Sequence, residues 1–507
     1  MRKTRLDMFF ANDSAGLLSE MEKISKGALS GRRVTNLRER PSKRPNPAAM
    51  AALAAGMPGR ALNRLGENEF VTPSEPAANA LRELHPYSQD PPEVNATISL
   101  PIIAFSSISK VIHKMKLSAP GPSGLRADHL LLAFKGGCED SLRKVIMAIA
   151  NGVGPRWLAD ARLIGIPKKP SGVRPIAIGE TLRRVAFGSL LRECSGVLPA
   201  LPRQFIIRSD GCLAVASAVK ASLLSDKTVS ILTVDLKNAF NTVKRESVLE
   251  AAIRTPLGKY ACWAYGKSSY LRFGQHVLNS TTGVQQGDPQ GPTLFALAVS
   301  DCLIRARESF HVSVLDLWYA DDGIIIGPTN EVLATFALVR SSLESIGLAV
   351  NTNKCRLWTQ PSSQLPESVS PVPCVALDSS ADSLVVLGFP QCQSEEVLRN
   401  FARKAVERAT KAIQPLERLH HAQGELQILR SCGLTARLRH LLRISPEDCV
   451  ISELKLADSV TINNITRIIG RPTPNDFHTV ASAPIGEGGL GIELLSKIDV
   501  RTVASMG

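Results

Sequence analysis

The sequence predicts an α+β protein with a helical C-terminal region, and three patterns carry that expectation. Ser230-Ile-Leu-Thr-Val-Asp235 is a β-branched run that ends in a carboxylate. Leu315 to Tyr319 and Ile324 to Ile326 are apolar runs on either side of Asp321-Asp322-Gly323, which makes them the clearest hairpin in the chain. From Ser394 a long helix is expected. Its apolar stripe is Leu398, Phe401, Ala405, Ala409 and Ile413, Glu395-Glu396 suit the dipole of its first turn, and Pro415 should end or kink it. Arg399, Arg403, Lys404, Arg408 and Lys411 fall largely off that stripe and give the helix a basic face.

Composition bounds what such a protein can be. The chain has 507 residues with 60 Lys+Arg against 46 Asp+Glu, a net charge of +14. At 44% apolar and 21% charged it can build sizeable cores, which excludes wholesale disorder and fibrous architectures. No run approaches the ~18 apolar residues a membrane span requires. The basic start, Met1-Arg-Lys-Thr-Arg, is not followed by an apolar signal core. Ten cysteines are scattered with no C-x-x-C spacing, which disfavours a zinc module of adjacent ligands and a disulfide framework, and points to a reducing intracellular setting. The positive charge raises the odds of a phosphate-rich partner without deciding it.

Three regions follow in order. Residues 1–100 read as a basic N-terminal extension, partly ordered, with eleven Lys/Arg against five Asp/Glu in 1–45. Thr72-Pro-Ser-Glu-Pro opens a short helix ending near Leu84, and Asp90-Pro-Pro reads as a linker. Pattern density rises across 101–390. Ser106 or Ser107 caps a helix with Ile108, Val111, Ile112 and Met115 on one face, and the turn-rich Ala119-Pro-Gly-Pro-Ser-Gly124 follows. Leu163–Pro167 and Ile176–Ile178 form a hairpin with cations Lys168, Lys169 and Arg174 near its tip. Residues 391–507 read as helices separated by Pro and Gly.

Asp235 at a strand end and Asp321-Asp322 at a hairpin are the residues with most chemistry in them. Carboxylates at neighbouring strand tips can hold two Mg²⁺ about 3.5–4 Å apart for phosphoryl or nucleotidyl transfer. An isolated Asp-Asp-Gly is more often just a good turn; the surrounding motifs decide otherwise. Ala119-Pro-Gly-Pro-Ser-Gly-Leu125, Ile166-Pro-Lys-Lys-Pro-Ser-Gly-Val-Arg-Pro-Ile176, Val234-Asp-Leu-Lys-Asn-Ala-Phe240, Gln286-Gly-Asp-Pro-Gln-Gly-Pro292, Tyr319-Ala-Asp-Asp322, Gly347-Leu-Ala-Val-Asn-Thr-Asn-Lys354 and Leu387-Gly-Phe-Pro390 occur in sequence. Across Leu117 to Pro390 this set resembles reverse transcriptases, most closely those of non-LTR retrotransposons, with group II intron-type enzymes more distant.

The resemblance implies a right-hand polymerase: fingers, a palm with an antiparallel sheet, and a helical thumb. It implies an RNA-directed DNA polymerase that extends a DNA primer, or a nick in target DNA, on an RNA template with dNTPs and two Mg²⁺ (Mn²⁺ as substitute). Asp235 and Asp321 would be the principal metal ligands, with Asp322 less direct and the Leu236 carbonyl completing a shell. Lys168 or Lys169, with Arg174, would clamp the triphosphate. Phe240 would exclude a ribose 2′-hydroxyl, Gln286 and Gly287 would touch nucleotide and template, and Lys354 would be the general acid toward pyrophosphate. A nuclear site of action is expected from the family, with no membrane and an open oligomeric state. The family's zinc knuckle has no counterpart in the cysteine spacings, and no separate nuclease constellation stands out, which puts nicking in cis in doubt. Two rivals remain: an RNA-templated RNA polymerase, disfavoured by Phe240, and a catalytically decayed or domesticated RNA-binding element, disfavoured by the intact Asp235, Asp321 and Asp322.

Overall fold

The computed structural model describes residues 44–498 apart from short stretches at 67–69, 169–170, 197, 199–200, 360–370, 378–382, 392–393, 444–446, 471–476 and 488. The chain divides into two compact units, 1–45 and 46–507, and everything below concerns the second. Its strands are β1 (Ala161–Pro167), β2 (Val173–Gly179), β3 (Ser230–Val234), β4 (Leu236–Lys237), β5 (Ser269–Phe273), β6 (His276–Ser280), β7 (Leu315–Tyr319), β8 (Asp322–Gly327), β9 (Ala349–Val350), β10 (Arg356–Thr359), β11 (Cys374–Ala376), β12 (Val385–Val386) and β13 (Phe389–Pro390).

Two sheets matter for the site. The first is four-stranded, ordered β2-β1-β5-β6, with the β1–β2 hairpin in antiparallel register from Ala161 opposite Gly179 to Pro167 opposite Val173. The second is five-stranded, ordered β11-β10-β3-β8-β7, and places β3 beside the β7–β8 hairpin. This second sheet is covered on both faces. Leu232, Val234, Trp318 and Ile325 join the main core, which includes the helix Gly291–Arg307. Ile231, Leu317, Ile324 and Ile326 pack on the other side against the helix Gly211–Ser225. Burial on both faces explains why Ile324-Ile-Ile326 reads as an unbroken apolar run and not an alternating one.

A third core gathers the C-terminal helices, including Glu395–Ile413 and Glu447–Ile469. The apolar residues of two early helices, Pro47–Ala54 and Pro58–Leu65, are buried in the same cluster. Residues 46–65 are therefore structurally part of this helical region, over 300 positions away in sequence. The helix Glu395–Ile413 passes directly into a 3₁₀ turn, Gln414–Leu419, with Pro415 at its start, because proline has no N–H to continue the α pattern. Its buried stripe is Leu398, Ala402, Ala405, Val406, Ala409 and Ile413. Arg399, Arg403, Lys404, Arg408 and Lys411 are all exposed.

The structure departs from the sequence expectations in three places. The helix expected to start at Ser106 or Ser107 begins at Phe105, after Ala104, with no side-chain cap; Ser107 is instead buried within it. Asp90-Pro-Pro is no free linker: Asp90 accepts from the Ser268 N–H at 2.7 Å, Pro91 is buried, and Ser88 N–H donates to Thr281 at 3.0 Å. The hairpin that carries Asp321 and Asp322 turns one residue earlier than expected. Tyr319 already pairs with Asp322, so Ala320 and Asp321 form the turn and Asp322 opens β8. Gly323 is required for a different reason than turn geometry. Any Cβ there would lie 2.6 Å from the indole of Trp318, whose ring occupies that space.

Candidate active site

Strand β3 delivers Asp235 to the mouth of the site, and the residues after β9 hold it there. The Asp235 carbonyl accepts from Asn351 N–H at 2.8 Å, and its carboxylate accepts from Asn351 Nδ2 at 3.0 Å. Lys354 Nζ is 3.6 Å from the same carboxylate oxygen, and the Asp235 N–H donates to the buried Cys355 Sγ at 3.4 Å. Leu236 starts β4, paired with Val350. On the neighbouring strand Val234 pairs with Gly323, so Asp235 leaves the sheet beside Asp322 and the Ala320–Asp321 turn.

One cavity of about 810 Å³ collects these groups. Asp235, Asp321, Asp322 and Lys354 line one side; Leu236 and Phe240 follow from β4 onward. Lys168 and Arg174 enter from the β1–β2 hairpin, and Gln286 and Gly287 from the loop before helix Gly291–Arg307. Every described site residue expected from the sequence thus lines the same space. Lys169 lies outside the described residues.

Asp321 and Asp322 hold their protons more tightly than free carboxyls do. Burial first, and then the negative charges of Asp321 and Asp235, together lift the Asp322 carboxyl from 3.8 to about 6. Asp321 is also raised, first by burial and then by Asp235, with Arg174 opposing. Positive charge placed directly beside Asp321 and Asp322 would oppose this rise, which is what a divalent cation would supply. Among the described residues no group of three or more His, Cys, Asp or Glu side chains forms a ready-made metal cage. Mg²⁺ tolerates this, since it keeps several waters and commonly takes one or two carboxylates plus substrate phosphates.

The raised value has a stability consequence with a definite sign. The folded state holds the Asp322 proton more tightly than the unfolded chain, so this group favours folding at low pH and the benefit is lost as pH rises from about 4 through about 6. Asp322→Asn should therefore leave the metal-free melting temperature unchanged below pH 4 and raise it above the wild type by pH 7. Thermal melts in chelator across that range measure the gap.

The loop carrying Gln286 and Gly287 is fixed from both sides. Ala177 N–H on the free edge of β2 donates to the Gln286 carbonyl at 2.6 Å. Gly287 sits at φ +110°, and a Cβ there would lie 2.4 Å from the Ala177 carbonyl oxygen, so only glycine lets the two backbones meet. Beneath it, buried Asp288 accepts from Arg183 at 2.6 Å and from the Tyr265 hydroxyl at 2.6 Å. Arg183, 1% exposed, also donates to Tyr260, to Gln285 and to the Ala159 carbonyl. Burial opposes its charge, yet Tyr260 and Asp288 around it hold the guanidinium more firmly protonated than usual.

Phe240 is half-buried and stacks on Phe295 at 4.7 Å between centroids and 21° between planes, which fixes its ring at the cavity wall. Asn238, at φ +50°, donates to the Leu84 carbonyl at 2.7 Å, and Leu84 itself lines the cavity. The β12–β13 hairpin turns through Leu387 at φ +49° and Gly388 at φ +90°, the two positive values of a tight two-residue turn.

Sequence reasoning missed several residues of this site: Asn351, Cys355, Arg183, Asp288, Leu84 and Gln204. Asn351 and Asp288 lie inside motifs that had been singled out, and only their partners were invisible. Ala320, at φ +55°, bears the strain of the hairpin turn, a conformation that costs an L-residue roughly 1–2 kcal/mol. Gln204, from a segment 116 residues earlier, accepts from the Ala320 N–H at 2.9 Å.

The family model described as reverse transcriptase (RNA-dependent DNA polymerase) matches residues 166–390. Residues 166–390 are thus similar to reverse transcriptase domains, including those of non-LTR retrotransposable elements. The chain is 27% identical over 270 residues to the Pol polyprotein of a type-1 R2 retrotransposable element from Nasonia vitripennis, covering 48% of this chain and 26% of that protein. It is 23% identical over 280 residues to the retrotransposable element SLACS 132 kDa protein of Trypanosoma brucei gambiense, covering 53% of this chain and 23% of that one. The chain thus spans about a quarter of the length of these two relatives. Apo telomerase from Candida tropicalis overlaps 65% of this chain and 66% of its own at 13% identity and a TM-score of 0.36, too weak a likeness to say anything of function. Reverse transcriptases as a family work with divalent metal ions. Among the described residues no helix is long and apolar enough to cross a membrane.

Proposed function

We propose that this chain is an RNA-directed DNA polymerase that extends a DNA primer, or nicked target DNA, on an RNA template with dNTPs. The observation that carries the reading is the single cavity in which Asp235, Asp321 and Asp322 meet Lys168, Arg174, Phe240 and the Gln286-Gly287 loop. Acidic and basic groups face one space, as a reaction joining a triphosphate to a hydroxyl requires.

Asp235, Asp321 and the Leu236 carbonyl, with Asp322 less directly, would hold Mg²⁺, or Mn²⁺ in its place. When bound, the ions lower the pKa of the primer hydroxyl and neutralise charge developing on the phosphates. The chain's own groups do the rest. Arg174 and Lys168 draw in and orient the triphosphate, and the rigid Gln286-Gly287 backbone supports the templated base. Lys354, held 3.6 Å from Asp235, is placed to give a proton to the departing pyrophosphate. Asn351 keeps the Asp235 carboxylate in one rotamer.

Residues 101–390 are taken as fingers and palm, and 391–507 as thumb with the C-terminal region. The exposed cations of helix Glu395–Ile413 suit the backbone of an A-form hybrid, which is recognised by shape and phosphate. Action in the nucleus fits the same reading.

The test is incorporation of labelled dTTP on poly(rA)–oligo(dT) with Mg²⁺. No incorporation together with salt-sensitive RNA binding would favour a decayed, RNA-binding element instead. Replacing dNTPs with rNTPs separates the RNA polymerase alternative. Phe240→Ala should raise rNTP incorporation relative to dNTP by about tenfold or more, since one well-placed steric group is worth roughly 1–3 kcal/mol of discrimination; single-nucleotide extension kinetics measure the ratio.

A further inference from the structure

The hairpin that carries Asp321 and Asp322 is fastened by a strand edge that belongs to none of the motifs described above. Trp318 N–H donates to the Arg203 carbonyl at 2.8 Å, and Phe205 N–H donates to the Trp318 carbonyl at 2.8 Å, so residues 203–205 run alongside β7 as an added edge. Gln204, between them, is 1% exposed. Both ends of its side-chain amide reach Ala320, and Oε1 is shared with the Ile206 N–H at 3.3 Å. Oε1 accepts from Ala320 N–H at 2.9 Å and Nε2 donates to the Ala320 carbonyl at 3.3 Å. Ala320 is the positive-φ residue directly before Asp321.

A buried primary amide that satisfies both the N–H and the C=O of one peptide residue acts as a substitute strand partner. At the turn neither group has a ladder partner, and either would otherwise be left unsatisfied or reach for water. The two contacts also oppose rotation of the peptide units flanking Ala320. That rotation would swing the Asp321 carboxylate away from Asp235.

The base of the hairpin is held separately. Asp316, fully buried, accepts a bidentate pair from Arg307 at 2.7–3.0 Å and further bonds from Arg203 at 2.5 Å and Trp318 Nε1 at 3.1 Å. That ion cluster anchors β7, and the Gln204 amide addresses the turn.

We infer that Gln204 is a positioning residue for nucleotidyl transfer: its amide locks Ala320 and so fixes Asp321 for metal and primer hydroxyl. The inference rests on the polymerase reading given above. Its test compares Gln204→Met, which keeps length and loses the amide's hydrogen bonds to Ala320 and Ile206, with Gln204→Glu, which keeps the acceptor for the Ala320 N–H.

Primer extension, Mn²⁺ binding by calorimetry, and amide hydrogen exchange would be measured on the full chain. Gln204→Met should lower kcat by about tenfold or more, leave KM for dNTP within about twofold, weaken Mn²⁺ binding, and speed exchange in 318–322 while protection elsewhere stays native. Gln204→Glu should recover part of the kcat. Wild-type kinetics and Mn²⁺ affinity in the Met variant would overturn the assignment. So would loss of protection throughout the chain, which marks a purely structural glutamine, or a Glu variant no better than Met. A wild-type chain that incorporates nothing overturns the polymerase reading itself, whereas faster exchange in 318–322 and weakened Mn²⁺ binding in Gln204→Met still report on Gln204.

Discussion

Asp321→Asn should reduce dNTP incorporation by at least roughly 10²–10³-fold, the loss seen when one preorganised electrostatic partner of a transition state is removed. The variant keeps size and shape, so the fold should survive. The physical reason is the position of Asp321 in the turn, on the cavity wall with Asp235 and beside Asp322. Neutralising it removes one of the charges that draw a divalent ion into the site. It also relieves Asp322, whose carboxyl is pushed up by the Asp321 charge after burial itself. The metal-free variant should accordingly melt no lower than wild type at pH 7, while primer extension collapses. A parallel loss of melting temperature and activity would instead make Asp321 a structural turn residue. Asp321→Asn together with Asp322→Asn should leave no measurable extension; activity surviving both changes would sink the site assignment.

Arg183→Ala should be the most destabilising of the single changes considered, by about 3–5 kcal/mol, because it strands a buried carboxylate with no counter-charge. Asp288 would keep only the Tyr265 hydroxyl and its local backbone contact, and Tyr260 and Gln285 would each lose a donor. The site should feel this as well as the fold, since Asp288 sits directly after Gly287 and anchors the loop that meets Ala177. Urea unfolding gives the stability term, and KM for dNTP gives the effect on the pocket. Replacing the pair together, as Arg183→Met with Asp288→Leu, should cost less than the two single changes summed, since the orphaned charge disappears. Additive losses would mean that the pair is not coupled.

How much of this was legible in the chain depends on the range of the interaction involved. The strands around Asp235 and Asp322 announce themselves through β-branched residues and continuous apolar runs, which are local signals. The helix Glu395–Ile413 follows from its stripe, its acidic first turn and Pro415. The hairpin turn was misplaced by one residue because Asp-Asp-Gly has good turn chemistry and Ala320 has poor turn chemistry. The choice is made by Gln204 and by the Trp318 ring over Gly323, neither of which a local reading weighs. Arg183 and Asp288, 105 residues apart, give no sign in sequence that they pair. Asp90-Pro-Pro is punctuated like a linker, and its anchor on Ser268 lies 178 residues downstream.

The Asn238–Leu84 contact changes where the working protein begins. The family match starts at residue 166, and the motif set starts near Leu117, so either would tempt an experimenter to trim there. Yet Leu84 forms part of the cavity wall, the residues after it are stitched along Thr281 and Ser268, and helices before residue 66 complete a core made with the far C-terminal end. An excised motif region would carry all its expected carboxylates and cations while lacking part of the wall that shapes its substrate pocket. For dissection, grafting or expression, the unit is set by what covers the pocket, and that boundary lies well upstream of the carboxylates and cations that line it.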